Sequence, residues 1–114
     1  SPALGLIGRI RQREVFSRLS KEGTYVRSSG LWCSMMIDPT LSSPHIGYAI
    51  GRSVGGAVQR NRVKRQLRAL FAAREAQLEP GWYLVGVQRS LAGASFERLS
   101  QAVDALLGKV AQKP

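Results

Sequence analysis

The chain has 114 residues, 17 Lys and Arg against 7 Asp and Glu, a formal net charge of +10 and a hydrophobic fraction of 44%. That length suits one domain with an ordinary core, and the charge directs its surface toward polyanions. The single cysteine, Cys33, excludes an intrachain disulfide framework and a multi-cysteine metal site, the apolar start from Ala3 to Ile7 is too short for a signal h-region, and no apolar run reaches about 18 residues.

In chain order, Gln12 to Glu22 sets Val15, Phe16 and Leu19 on one side, and Gly23 follows where a left-handed stop would sit. This predicts a short first helix. Thr24 to Ile37 is rich in β-formers, including Tyr25, Val26, Trp32 and Met35, and divides into one short and one longer strand. The run from Asp38 to Pro44 is a turn. Ile46, Tyr48 and Ile50 then alternate with Gly47 and Ala49, so His45 to Ile50 reads as a strand, expected to pair antiparallel with the one before it.

Gly51, Gly55 and Gly56 lead into the longest element, Ala57 to Leu78, which contains neither Gly nor Pro. Its Val63, Leu67, Leu70 and Phe71 form a stripe that can face a sheet, and Pro80-Gly81 stops it. Trp82 to Val87 is a further strand. The last segment sets Phe96, Leu99, Val103, Leu106, Leu107 and Val110 at helical spacing, with Ser95 as N-cap and Glu97 in the first turn. The whole reads as one α+β domain over residues 1–114, a single sheet of about four strands with three helices against it. The strands joined by the long helix can run parallel.

From Arg52 to Arg68 there are six basic residues, Arg52, Arg60, Arg62, Lys64, Arg65 and Arg68, and no acidic one. Arg60, Lys64 and Arg68 are successive same-face cations that repel one another by a few tenths of a kcal/mol per pair. A solvated, solubilising face is the plain alternative. Three features favour an anionic partner instead. Arginine outnumbers lysine here, and its planar fork suits phosphate and base contacts. Asn61 among the arginines adds both a donor and an acceptor. The glycine-bearing approach brings the helix N-terminus, with its unpaired N–H groups, to the same place. The approach is not a P-loop, because Ala57-Val58 stands where Lys and Ser or Thr would be needed.

Catalytic machinery is not evident. No acid lies between Asp38 and Glu75, so the basic surface has no carboxylates to cage a divalent ion. His45 is the only histidine, and Cys33 sits in an apolar strand where cysteine is usually inert. The expectation is a chain that binds nucleic acid without cutting it, with no catalytic residue and no metal site of its own.

The run Gly56-Ala57-Val58-Gln59-Arg60-Asn61-Arg62-Val63-Lys64-Arg65-Gln66-Leu67-Arg68 closely resembles the signature of the bacterial ribonuclease P protein component. Phe16 in a first helix, Gly23 after it, the strand before the glycine loop and the closing strand and helix fall in that family's order as well. The resemblance implies a ribosomal protein S5 domain 2-like fold in αβββαβα order. It implies a subunit of a ribonucleoprotein endonuclease that removes the 5′ leader from precursor tRNA, with the chemistry in the RNA subunit and Mg²⁺ acting through that RNA. It implies that Arg52, Arg60, Asn61, Arg62, Lys64, Arg65 and Arg68 contact ribonuclease P RNA. Phe16, Arg11, Arg13, Trp32 and Arg89 are then the candidates for the single-stranded leader. Ser20 stands where the family often has a second aromatic, and Gly51-Arg52-Ser53 replaces its Ser-Lys-Lys. The partners implied are ribonuclease P RNA and precursor tRNA, with no membrane and no protein partner, in the cytoplasm. The rival is a structural, ribosomal-type RNA-binding protein with no part in cleavage.

Overall fold

The computed structural model describes residues 8–9 and 13–112. Its elements are β1 (Gly8–Arg9), α1 (Arg13–Glu22), β2 (Thr24–Ser28), β3 (Leu31–Ile37), β4 (His45–Ala49), α2 (Ala57–Ala72), β5 (Gly81–Val87) and α3 (Phe96–Ala111). The strands form one mixed sheet in the order β1-β4-β5-β3-β2. The α+β architecture and the three helices agree with expectation. The two-residue β1 at the edge, parallel to β4, adds a strand to the expected four.

One pairing differs from expectation. β4 does not lie antiparallel beside β3; β5 inserts between them, parallel to β4 and antiparallel to β3. The reason is burial. A central strand is covered on both faces and needs side chains for both, and β5 supplies Tyr83 and Val85 to one and Trp82 and Leu84 to the other. β4 has only Gly47 and Ala49 between its larger residues and takes the less covered place. The parallel run of β4 and β5 across α2 is the relationship a helical crossover allows. β2 and β3 close through Ser29 and Gly30, both at positive φ (55° and 90°), the sign pattern of a tight hairpin turn whose twist matches the strands.

The period of two along β3 assigns the faces. Leu31, Cys33 and Met35 are buried toward α2 and α3, where they meet Leu67, Phe71, Leu99 and Val103 in the main core. Each such leucine contributes roughly 1.5–3 kcal/mol by leaving water. The intervening positions face α1, whose buried Val15 and Leu19 pack on Met36, Trp82 and Leu84.

Helix ends are set by contacts distant in sequence. α1 stops at Gly23 through close approach, without the left-handed backbone expected there. A Cβ on Gly23 would fall 2.4 Å from the Leu19 carbonyl oxygen, which accepts from Gly23 N–H and from the Ser34 hydroxyl. α2 ends at Ala72, short of the expected Leu78, and a one-turn 3-10 helix, Glu75–Gln77, follows. Arg74 accounts for the stop. Its Nη1 donates to the Leu70 carbonyl at 3.0 Å, while Nε and Nη2 reach Asp104 and Ser100 on α3. α3 begins as expected, with the Ser95 hydroxyl accepting from Arg98 N–H at 3.1 Å. Among the described residues no helix is long and apolar enough to cross a membrane.

Candidate RNA interface

The approach to α2 is anchored by one apolar residue. Val54, in the 3-10 turn Arg52–Val54, is buried in the main core, and this leaves Arg52 exposed beside it. Gly56 is the N-cap of α2 and carries no side chain to occupy the first-turn N–H groups, and no acid stands in that turn. Four N–H groups at a helix start have no partner within the helix, so this end is electropositive.

Along α2 the stripe Val63, Leu67, Leu70 and Phe71 is buried. Consequently Asn61, Lys64, Arg65 and Arg68 are exposed and Arg60 and Arg62 half-buried, all on one 16-residue helix. Among the described residues the five cations of α2 form no ion pair; the pairs present are Arg18 with Glu22 and Arg74 with Asp104. The face therefore keeps its full charge for an external anion. Arg60 Nε and Gln66 Oε1 are buried without a hydrogen-bond partner.

Beside this helix Tyr48 completes a small depression. It is lined by Tyr48 and Ile50 on one side and Ala57, Arg60, Asn61 and Lys64 on the other, with a volume of about 230 Å³. The Tyr48 ring lies against Phe71, centroids 6.4 Å apart. Burial pushes its phenol up to about 12, and the nearby Arg68 charge opposes that rise only in part.

The α1-side face of the sheet holds a second group. The register aligns Ala49 with Gly86, Gly86 with Trp32 and Trp32 with Arg27, one rung across four strands. Trp32 stacks on Tyr25, centroids 6.0 Å apart and planes at 24°. Both rings belong to the face that α1 covers, and Trp32 is half-buried there and outside the main core. Phe16 is 37% exposed on α1, beside the buried Val15. Arg89 opens the 3-10 turn after β5, which touches the turn carrying Arg52. Arg11 lies outside the described residues, as does the side chain of Arg13, whose backbone begins α1.

The structure thus separates the candidates into two faces. Arg60, Asn61, Arg62, Lys64, Arg65 and Arg68 share α2, with Arg52 before it; Trp32 belongs to the α1 side with Phe16, and Arg89 to the end of β5. Two residues were not singled out from the sequence. Tyr25 alternates with the buried Val26, and that alternation alone puts it on the face of Trp32. Tyr48 reads as core in a period-two strand, and no local signal tells that it also lines a depression.

Nucleophilic chemistry finds no support. Cys33 is 2% exposed and burial pushes its thiol up to about 12. It aligns with Val85 on the core face, while His45 aligns with Trp82, 4.8 Å away by ring centroids on the opposite face. The two do not meet. Among the described residues no three His, Cys, Asp or Glu side chains come together.

Comparison with known proteins gives a consistent picture. A family model described as Ribonuclease P matches residues 7–111. The ribonuclease P protein component of Acidothermus cellulolyticus is 35% identical over 109 residues, covering 91% of this chain and 88% of that protein. That of Dehalococcoides mccartyi is 35% identical over 103 residues, covering 89% and 82%. Among solved structures, the Staphylococcus aureus RNase P protein superposes with a TM-score of 0.82 at 20% identity, over 91% of this chain and 94% of that one. The Thermotoga maritima RNase P protein gives 0.79 at 22% identity, over 89% and 96%. At those identities the structural likeness speaks for the fold.

Proposed function

Since the chain belongs to the ribonuclease P protein family and is the RNA-binding subunit of that endoribonuclease, we propose that it assists 5′ leader removal from precursor tRNA with two separate RNA surfaces. The α2 face, with Arg52 before it, holds ribonuclease P RNA. The α1-side face grips the single-stranded leader, with Phe16 and Trp32 stacking on bases, and Arg11, Arg13 and Arg89, the last at the end of β5 beside the Arg52 turn, are the cations assigned to its phosphates. The observation that carries this reading is the run of cations on α2 with no acid among them and no ion pair among the described residues. Such a face releases counterions when it meets phosphates, which gives strong, sequence-tolerant affinity. Stacking on an aromatic ring contributes roughly 1–3 kcal/mol per base without demanding sequence, as a site for variable leaders requires.

Mg²⁺ belongs to the RNA subunit in this reading. The basic stretch offers no divalent cage of its own: no acid lies between Asp38 and Glu75, among the described residues no three His, Cys, Asp or Glu side chains come together, and hard cations need several oxygen ligands. The bacterial cytoplasm is the compartment implied, because precursor tRNA is made there.

The test is to combine the pure protein with precursor tRNA, with and without a bacterial ribonuclease P RNA, at low Mg²⁺. Leader removal stimulated only when both are present supports the reading. Tight RNA binding with no stimulation across several cognate RNA subunits would return the structural RNA-binding alternative.

A further inference from the structure

We propose that the depression between the end of β4 and the start of α2 is a slot for a single unstacked nucleotide, its base on the wall of Tyr48 and Ile50 and its edge on Asn61. This rests on the reading of α2 as an RNA-binding face and names one site within it.

The slot is built from a regular spacing. Ala57, Arg60, Asn61 and Lys64 stand at i, i+3, i+4 and i+7, so they share the side of α2 that turns toward β4. Ala57 is small, and this keeps the slot open next to the unpaired N–H groups of the helix start. Opposite, Tyr48 and Ile50 are half-buried, each packed on the main core while also lining the slot. The volume of about 230 Å³ falls below the roughly 300–1,000 Å³ of sites that take drug-sized molecules. It suits one planar ring system.

The lining selects the chemistry. An apolar ligand would leave Arg60, Lys64 and the Asn61 carboxamide without a role. A bare phosphate would have no use for the Tyr48–Ile50 wall. A nucleotide uses all of it, offering a flat face to the aromatic wall, a donor and acceptor edge to Asn61, and an anion to the two cations and the helix N-terminus. None of the lining residues is acidic, so nothing in the slot repels a phosphate.

The test uses the isolated, isotope-labelled protein titrated with AMP and, separately, with ribose 5-phosphate, followed by NMR at the Asn61 side-chain amide, the Arg60 Nε–H and the Tyr48 ring. AMP is expected to shift all three saturably and to bind at least fivefold more tightly than ribose 5-phosphate. Ala57→Leu, which fills the slot from an exposed helical position, is expected to abolish that preference. Should Ala57→Leu fail to fold, the exposed Asn61→Ala substitution decides, with the same loss expected. Equal binding of the two ligands, or a preference for AMP that survives the substitution, overturns the proposal. Because neither the RNA subunit nor precursor tRNA is present, the outcome is separate from that of the cleavage assay. A protein that stimulates leader removal yet binds both ligands equally keeps its function and loses the slot.

Discussion

Gly86 lies directly across from Trp32 in the β3–β5 ladder, and a Cβ on Gly86 would fall 1.9 Å from the indole ring. The missing side chain is what lets Trp32 lie flat on the sheet, with Tyr25 stacked beside it. Gly86→Ala should therefore push the indole off its seat and destabilise the fold by about 1–3 kcal/mol, the usual range for overpacking. In a Trp32→Ala background the same substitution should be nearly neutral, since residues in contact do not behave additively. Urea denaturation of the four proteins checks this. An equal effect of Gly86→Ala in both backgrounds would remove the ring as the cause.

Phe16 carries a second expectation. Phe16 is 37% exposed next to a helix face whose Val15 and Leu19 are buried, so its removal should leave the fold nearly intact. With the RNA subunit present, Phe16→Ala should weaken precursor tRNA by roughly 1–3 kcal/mol, one stacked base, and mature tRNA hardly at all. The quantity to compare is the ratio of the two affinities. A uniform loss on both RNAs would mean that Phe16 does not touch the leader.

What could be read from the sequence, and what could not, follows from the range of each interaction. The α2 face was legible because Arg60 to Arg68 and the stripe Val63, Leu67, Leu70 and Phe71 lie on one helix, where spacing alone sorts charged from apolar. The face of Trp32 was open to reading by alternation with Leu31 and Cys33. The neighbour of β4 was not, because it depends on which of two distant strands better fills both faces of the sheet, and that competition runs between His45–Ala49 and Gly81–Val87. The end of α2 was hidden for the same reason. Arg74 stops the helix with the help of Asp104, 30 residues further on, and the local run through Leu78 shows nothing against continuing. Tyr48 belongs to both core and surface, and a pattern that sorts residues into two classes assigns it to one.

The cations of α2 make a quantitative prediction about salt. If Arg65 neutralises one phosphate, Arg65→Ala should weaken the RNA subunit and lower the slope of log affinity against log salt by about one. Arg74 serves as the control. It is held by Asp104, Ser100 and the Leu70 carbonyl, so Arg74→Ala should lower stability and leave the slope unchanged. An unchanged slope for Arg65→Ala would count against a phosphate contact at that position.

Cys33 should behave as a packing residue. Burial pushes its thiol up to about 12, and the nucleophile in thiol chemistry is the thiolate. The native protein at pH ~8 should react with a thiol reagent only as fast as it opens, and the denatured protein at once, since a free cysteine has a pKa of about 8.5. Cys33→Ser should leave RNA binding intact in whatever fraction folds, while destabilising the fold by burying a hydroxyl. Rapid native labelling would show that the sheet opens at β3 far more easily than its central burial implies.

The ion pair between Arg74, just past the end of α2, and Asp104 on α3 gives the fold a pH dependence with a definite sign. Arg74 Nε donates to Asp104 Oδ1 at 2.6 Å, and this hydrogen bond, with the guanidinium charge, holds the Asp104 carboxyl below its ordinary 3.8. The folded state then binds fewer protons than the unfolded one at acid pH, so the contribution is fully present above 3.8 and lost as pH falls through the lower, folded-state value. Asp104→Asn should flatten the fall in Tm between pH ~5 and ~2 without abolishing it. Some slope persists because Asp38 is also held low, first by hydrogen bonds from Thr40 and then by one from Trp82 and the charge of Arg18. Asp104 is largely exposed, with 57% of its side chain in contact with solvent, so the effect should shrink as salt is added. Melting curves at low and high salt test both parts at once. An acid limb unchanged by Asp104→Asn would mean that Arg74 holds α2 to α3 through Ser100 and the Leu70 carbonyl alone.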